Sequence, residues 1–187
     1  MRIVGGQFRS RELRAPRGNQ TRPTTDRVRE ALFSMLASRH DFTGLRVLDL
    51  FAGTGALGLE ALSRGAASAV FVEHDRQALR ALEHNVSTLG VAERTRIVAA
   101  PVERARLTEG FDLVFADPPY ELVHDGRFAA VIAGFLAQPA RWVVEHASRD
   151  AAPELPEMQL ISTRVYGDTA IGLYEPAIGY TGRLSNE

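Results

Sequence analysis

Apolar residues fall in short runs along most of the chain, separated by stretches with helical spacing. Strands are predicted over 45–51, 69–73, 96–99, 111–116 and 141–146, each run short, apolar and rich in β-formers. Between them, 56–63 suits a helix behind a glycine turn. A second helix fits 76–89, stopped by Gly90 as a C′ glycine, and a third fits 127–137. Upstream, TTDRVREALFSMLASR predicts a helix capped by its threonines or Asp26, with Val28, Leu32, Met35 and Leu36 on one stripe. The late stretch MQLISTRVYGDTAIGLYEP reads as two strands around a turn at Gly167-Asp168. Strands alternating with helices imply an α/β, doubly wound, mostly parallel sheet, here closing in an antiparallel hairpin.

Ahead of the first helix, RIVGGQF and ELR read as two short strands that turn near Ser10 and Arg11, and 15–23 is linker-like. A lone two-stranded ribbon is marginal, so it must lean on the body or on a partner. The expected organisation is a hairpin arm over 1–17 and one domain over 18–187. No internal repeat or low-complexity segment interrupts it.

Composition narrows the function classes. There is no cysteine among the 187 residues, which removes disulfides, thiolate metal sites and cysteine nucleophiles. The five histidines show no paired ligand spacing, so no metal is expected. No apolar run reaches the ~20 residues of a membrane span, and MRIVGGQFRS lacks the apolar core of a signal peptide, so a cytoplasmic protein without a membrane partner is expected. The 22 basic residues are all arginine. Eight of them fall in residues 1–30 (Arg2, Arg9, Arg11, Arg14, Arg17, Arg22, Arg27 and Arg29) against three acids, a net of +5 on a body of −6. A basic arm on an acidic body suggests a polyanionic partner. Arg64, Arg76 and Arg80 are expected on solvated helix faces, and Trp142 in the packing at a strand start.

The first strand of the body runs into DLFAGTGALG. Gly53, Gly55 and Gly58 spell G-x-G-x-x-G, and Glu73 lies 20 residues past Gly53, as in a dinucleotide site. Asp49 argues otherwise, because a pyrophosphate loop has no use for an extra anion. A cofactor carrying an ammonium and a sulfonium does, and S-adenosylmethionine is the expected one. Gly53 and Gly55 let the backbone approach it, Asp49 meets the ammonium, and Glu73 accepts from both ribose hydroxyls.

The second feature that hydride transfer leaves unexplained is FDLVFADPPY. Two prolines end the strand at once, yet neither Asp117 nor Tyr120 is needed for that. An exocyclic amine on a purine is a poor nucleophile, since its lone pair is delocalised into the ring. The Asp117 carboxylate and the Pro118 carbonyl, held extended by Pro119, can accept both N–H groups and expose that lone pair. Tyr120 offers a face on which the base can stack.

In order, MRIVGGQFRSRELRAP, TRPTTDRVREALF, LDLFAGTGALGLEALSRGA, FVEHDR and FDLVFADPPY resemble the RsmD family, bacterial 16S ribosomal RNA guanine-N2 methyltransferases. The resemblance covers nearly the whole chain, and the pairing of IVGGQFR with RPTTDRVRE is its most specific part. It implies a Rossmann-like class I methyltransferase fold, a monomer acting on one guanine, conventionally 966, of 16S rRNA, and S-adenosylmethionine as donor. It puts Asp49, Phe51, Gly53, Gly55, Glu73, His74 and Val102 at the cofactor, with Thr24 and Arg27 bordering the site. Asp117, Pro118, Pro119 and Tyr120 fall at the target base. The arm, with Arg2, Arg9, Arg11, Arg14, Arg17 and Arg22, becomes a grip on the small ribosomal subunit. One departure lies in AAPVER, where Pro101 stands in place of a common polar contact to the adenine amine, leaving Val102 or Glu103 to substitute. The alternatives sharing this bracket are adenine-N6 and protein-glutamine methyltransferases. A cytosine-C5 enzyme is excluded by the missing cysteine.

Overall fold

The structure, a computed structural model, describes residues 1–15, 25–136 and 140–177. Seven strands form one sheet: β1 (Arg46–Leu50), β2 (Ser68–Glu73), β3 (Thr95–Ala99), β4 (Leu113–Ala116), β5 (Arg141–Ala147), β6 (Met158–Tyr166) and β7 (Thr169–Pro176). Their order is β3-β2-β1-β4-β5-β7-β6. The first five run parallel, and β7 and β6 add antiparallel. This is the doubly wound sheet with a terminal hairpin that the strand–helix alternation predicted.

The helices are α1 (Asp26–Ala37), α2 (Ala56–Ser63), α3 (Arg76–Leu89), α4 (Tyr120–His124) and α5 (Phe128–Ile132). Thr25, rather than Asp26, caps α1, its hydroxyl accepting from the Val28 N–H. Asp75 caps α3 by accepting from the N–H groups of Gln77 and Ala78, and Gly90 closes it in the left-handed region. Two differences from the sequence reading concern the fourth crossover. A short helix starts at Tyr120, where the sequence assigns no element, and the helix expected over 127–137 stops at Ile132 and passes into a 3-10 turn, Ala133–Phe135. Among the described residues no helix is long and apolar enough to cross a membrane.

Because side chains alternate across a strand, the sheet divides its core cleanly. Val47, Phe71, Phe115, Val143, Ile171 and Leu173 face one layer, made of α1, α2 and α3. Leu48, Leu50, Val72, Val114, Val144 and the fully buried Trp142 face the other, with Val123, Phe128 and Ile132 from α4 and α5. All the described N-terminal residues that enter the core join the first layer.

The N-terminal segment is not the two-stranded ribbon its sequence suggested. A single antiparallel bridge, Arg2 with Glu12, links its halves, flanked by bonds from the Ile3 N–H to the Arg11 carbonyl and from the Leu13 N–H to the Met1 carbonyl. Residues 5–10 are turns, with Gly6 and Ser10 at positive φ. The body supplies what a second strand would have. Val4 N–H donates to Glu60, Gln7 N–H to the Ser63 carbonyl, Phe8 N–H to the Ser63 hydroxyl, and Arg14 N–H to the Asn85 amide oxygen. Ile3 is 1% and Leu13 5% exposed. Arg64 is likewise not solvated: its guanidinium pairs with buried Glu60 at 2.8 Å and lies over the Phe33 ring.

Ile3 is therefore a core residue. Ile3→Ala should cost about 2–4 kcal/mol in urea unfolding, as buried Ile-to-Ala changes do. A detachable arm would leave the transition unmoved.

Candidate active site

Four acidic residues arrive at the carboxyl ends of neighbouring strands, where open α/β sheets hold their ligands. Asp49 is the penultimate residue of β1, Glu73 ends β2, Asp117 follows β4 and Glu145 lies near the end of β5. Asp49 pairs in register with Phe115, and Phe115 with Val143. Asp117 and Glu145 each stand two residues further on. Alternation therefore puts Asp49, Asp117 and Glu145 on the face covered by α1.

The glycine loop is tied to this edge by its backbone. Asp49 is 2% exposed and accepts from the Gly58 N–H at 2.9 Å. Glu73 accepts from the Gly53 N–H at 2.8 Å with one oxygen and from His74 and Asp75 N–H, at 2.7 and 2.8 Å, with the other. These bonds fix both carboxylates before any ligand arrives. Phe51 takes a positive φ of 58°, a conformation a bulky side chain rarely adopts. Its ring lies 6.4 Å from that of Phe128.

The three glycines of the loop do different things. A Cβ on Gly53 would meet nothing within 4 Å, so this backbone faces open space. A Cβ on Gly55 would come within 2.4 Å of Leu82, and one on Gly58 within 2.4 Å of the Phe71 ring. Their bareness thus lets α2 seat on the sheet and on α3. His74 is exposed, with its ring 3.6 Å from Glu73. Val102 is buried in the 3-10 turn after β3, with Pro101 just ahead of it. Arg27 is exposed at the start of α1. Thr24, Arg17 and Arg22 lie outside the described residues, while Arg2, Arg9, Arg11 and Arg14 are all exposed on the N-terminal segment.

Burial dominates the electrostatics. It pushes the Asp49 carboxyl up to about 8, the Gly58 bond opposing and Glu73 adding to the rise. It raises Asp117 well above the carboxylate range too, with further contributions from Glu145 and then Asp49. Asp117 as a residue is partly exposed, so its carboxyl is enclosed by protein without being sealed off. The edge thus holds more negative charge than it can comfortably keep, and it favours protons, cations or N–H donors. The larger surface hollow, about 500 Å³ between α1 and β6, shares none of these residues.

The DPPY stretch crosses this edge. Pro118 is buried, Pro119 is extended, and the Pro119 carbonyl accepts from Leu122 to begin α4. The helix therefore starts two residues beyond Pro118, at Tyr120. The Tyr120 hydroxyl bonds Thr169 at the start of β7, at 3.0 Å. Sequence reasoning passed over Glu145 and Thr169. The one available signal was an acid inside the apolar run RWVVEHA.

Residues 1–175 match the model of the family described as "Conserved hypothetical protein 95". The chain is 39% identical over 180 residues to ribosomal RNA small subunit methyltransferase D of Escherichia coli strain K12, covering 94% of this chain and 89% of that one. It is 37% identical over 186 residues to YlbH of Bacillus subtilis, covering 94% and 98%. The solved structure of yhhF from Escherichia coli superposes with a TM-score of 0.80 at 38% identity, covering 95% and 98%. Together with the sheet order and the carboxyl-end site, these matches give a class I methyltransferase fold, and the chain belongs to the RsmD family.

Proposed function

We propose that this protein transfers a methyl group from S-adenosylmethionine to the exocyclic N2 of one guanine, 966, in 16S ribosomal RNA. The observation that carries the reading is the DPPY stretch. It leaves the strand beside β1 and sets Asp117 on the same sheet face as Asp49, in a chain similar to small-subunit ribosomal RNA methyltransferase D.

The donor set suits the cofactor. Asp49, buried and pushed up to about 8, gains most from a cationic neighbour such as the ammonium. Gly53 faces open space on the side from which a ligand would approach. Glu73, oriented by three backbone N–H groups, presents a fixed acceptor to ribose hydroxyls. Phe51, Gly55, His74 and Val102 complete the surroundings and Arg27 borders them; Thr24, assigned the same role, lies outside the described residues. The cofactor supplies a methyl on a sulfonium, an electrophile with a neutral leaving group.

The remaining work belongs to the chain. Asp117 and the Pro118 carbonyl accept the two N–H groups of the guanine amine and aim its lone pair. Tyr120, tethered to Thr169, supports the base, which must be unpaired or flipped out. With the donor held by Asp49, the glycine loop and Glu73, the aimed lone pair would take the methyl, the sulfur leaving with the C–S electron pair. The methylated nitrogen then sheds a proton to Asp117 or solvent. Placement does most of the catalysis, since orientation is worth effective molarities of ~10⁵ M or more. Arg2, Arg9, Arg11, Arg14, Arg17 and Arg22 grip RNA phosphates. So small an arm selects one guanine in an assembled subunit better than in naked RNA.

Labelled S-adenosylmethionine, incubated with small subunits lacking the modification, should yield N2-methylguanosine at one site. Asp117→Ala should lower the rate at least 100-fold, and deproteinised RNA should be a poorer substrate than the particle. Label in N6-methyladenine or in protein would reject the guanine assignment.

A second expectation follows from Asp49. Its proton must leave before it can pair with the ammonium. Cofactor affinity should therefore rise from pH 6 towards 8, by up to about tenfold per unit. Calorimetry in buffers of different ionisation enthalpy would report the released proton. Asp49→Asn should bind weakly and without this slope.

A further inference from the structure

Glu145 has no part in the reading above, yet it is 6% exposed at the carboxyl end of the sheet, on the strand next to that of Asp117. Three observations place it. Val144 pairs with Ala116, so Asp117 and Glu145 leave adjacent parallel strands at the same level and on the same face. Glu145 pairs with Ile171 and Ala147 with Thr169, so Thr169 lies on that face too, one step beyond Glu145. Tyr120 begins α4 four residues after the end of β4, and its hydroxyl reaches Thr169 at the start of β7. Since β5 lies between β4 and β7, the phenol crosses the carboxyl end of β5. Glu145 therefore stands between the Asp117 bracket and the anchor of the stacking platform. Asp117 also feels Glu145 more strongly than any other charge.

We propose that Glu145 is a specificity-determining residue, its carboxylate accepting the N1–H of guanine while Asp117 and Pro118 hold the neighbouring N2 amine. This rests on the guanine reading above. On guanine's Watson–Crick edge the N1–H and one amine N–H point the same way, a pair of donors suited to two adjacent acceptors. Adenine and 2-aminopurine carry a lone pair at N1 instead, and a buried carboxylate facing it leaves two acceptors opposed without water. A site that bonds a substrate N–H rejects the analogue lacking it far better than shape alone can. The bracket selects an exocyclic amine, and Glu145 selects which purine carries it.

The test compares small subunits reconstituted with guanine or with 2-aminopurine at the target position. The analogue keeps the reacting amine and loses the N1–H. Wild-type protein should prefer guanine by at least 100-fold in kcat/KM. Glu145→Gln, which keeps the shape, should cut that ratio at least tenfold by losing rate on guanine while 2-aminopurine holds or gains. Glu145→Asp should retain part of the preference. Equal losses on both bases would make Glu145 structural and overturn the inference. So would wild-type protein that uses 2-aminopurine as well as guanine, a result that needs no variant to fold. Absence of wild-type transfer to guanine would instead overturn the guanine reading, and this inference with it.

Discussion

The hydrogen bond from the Gly58 N–H to the buried Asp49 carboxylate seats the first crossover helix, and much of the molecule follows from it. It spans from β1 into α2 and can form only because Gly58 is bare, a Cβ there lying 2.4 Å from the Phe71 ring. Once α2 is seated, Glu60 and Ser63 on its far turns become the anchors of the N-terminal segment. That segment in turn meets α1, the Arg2 carbonyl accepting from buried Arg29 and the Arg2 guanidinium pairing with Asp26. One backbone–carboxylate contact at the glycine loop is thus the first link in a chain that ends at the basic surface. The arm is an extension of the catalytic core in packing terms, although its composition sets it apart.

The same constraint sorts charge. Backbone donors and core packing occupy the inward side of the N-terminal segment, so its arginine side chains have nowhere to go but out. Arg2, Arg9, Arg11 and Arg14 are exposed, while the carboxylates concentrate inside at the strand ends. Exposed arginines are cheap to hydrate and screened by salt, whereas the buried acids store unfavourable energy that only a donor or cation relieves. On the proposed function, long-range attraction of a polyanion and short-range capture of a cationic cofactor would be carried by separate groups. Neither field has to be weakened to serve the other.

What the sequence disclosed depended on how local each signal was. β1, β2, β4 and β5 were legible because burial on both faces makes them continuous apolar runs, and the half-exposed edge strand β3 from its short run of β-formers. DPPY and the glycine loop were legible because their chemistry lies within a few consecutive residues. The arm's two strands were misjudged: alternation in RIVGGQF comes from Ile3 docking on α1 and α2 layers, and the hydrogen bonds go to Glu60, Ser63 and Asn85, more than fifty residues away. Arg64 was taken for a solvated side chain because nothing nearby announces that Glu60 would be buried beneath the arm. Glu145 was missed because its meaning comes from register: only the pairing of β4 with β5 brings it beside Asp117.

Asn85 shows how tightly these levels are joined. Its side-chain amide accepts from the Arg14 N–H at 2.7 Å and donates to the carbonyls of Arg14, at 3.1 Å, and Thr54, at 3.0 Å. The residue is 1% exposed, so each of these bonds replaces water that cannot return. Thr54 lies between the two leading glycines of the loop, and Arg14 belongs to the N-terminal segment. A single buried amide therefore holds Arg14 of the N-terminal segment and the Thr54 carbonyl of the glycine loop in one geometry. Sliding the arm by one residue would present Asn85 with the wrong backbone groups and leave Thr54 unpaired. The register of the arm and the shape of the loop are, in consequence, one structural variable.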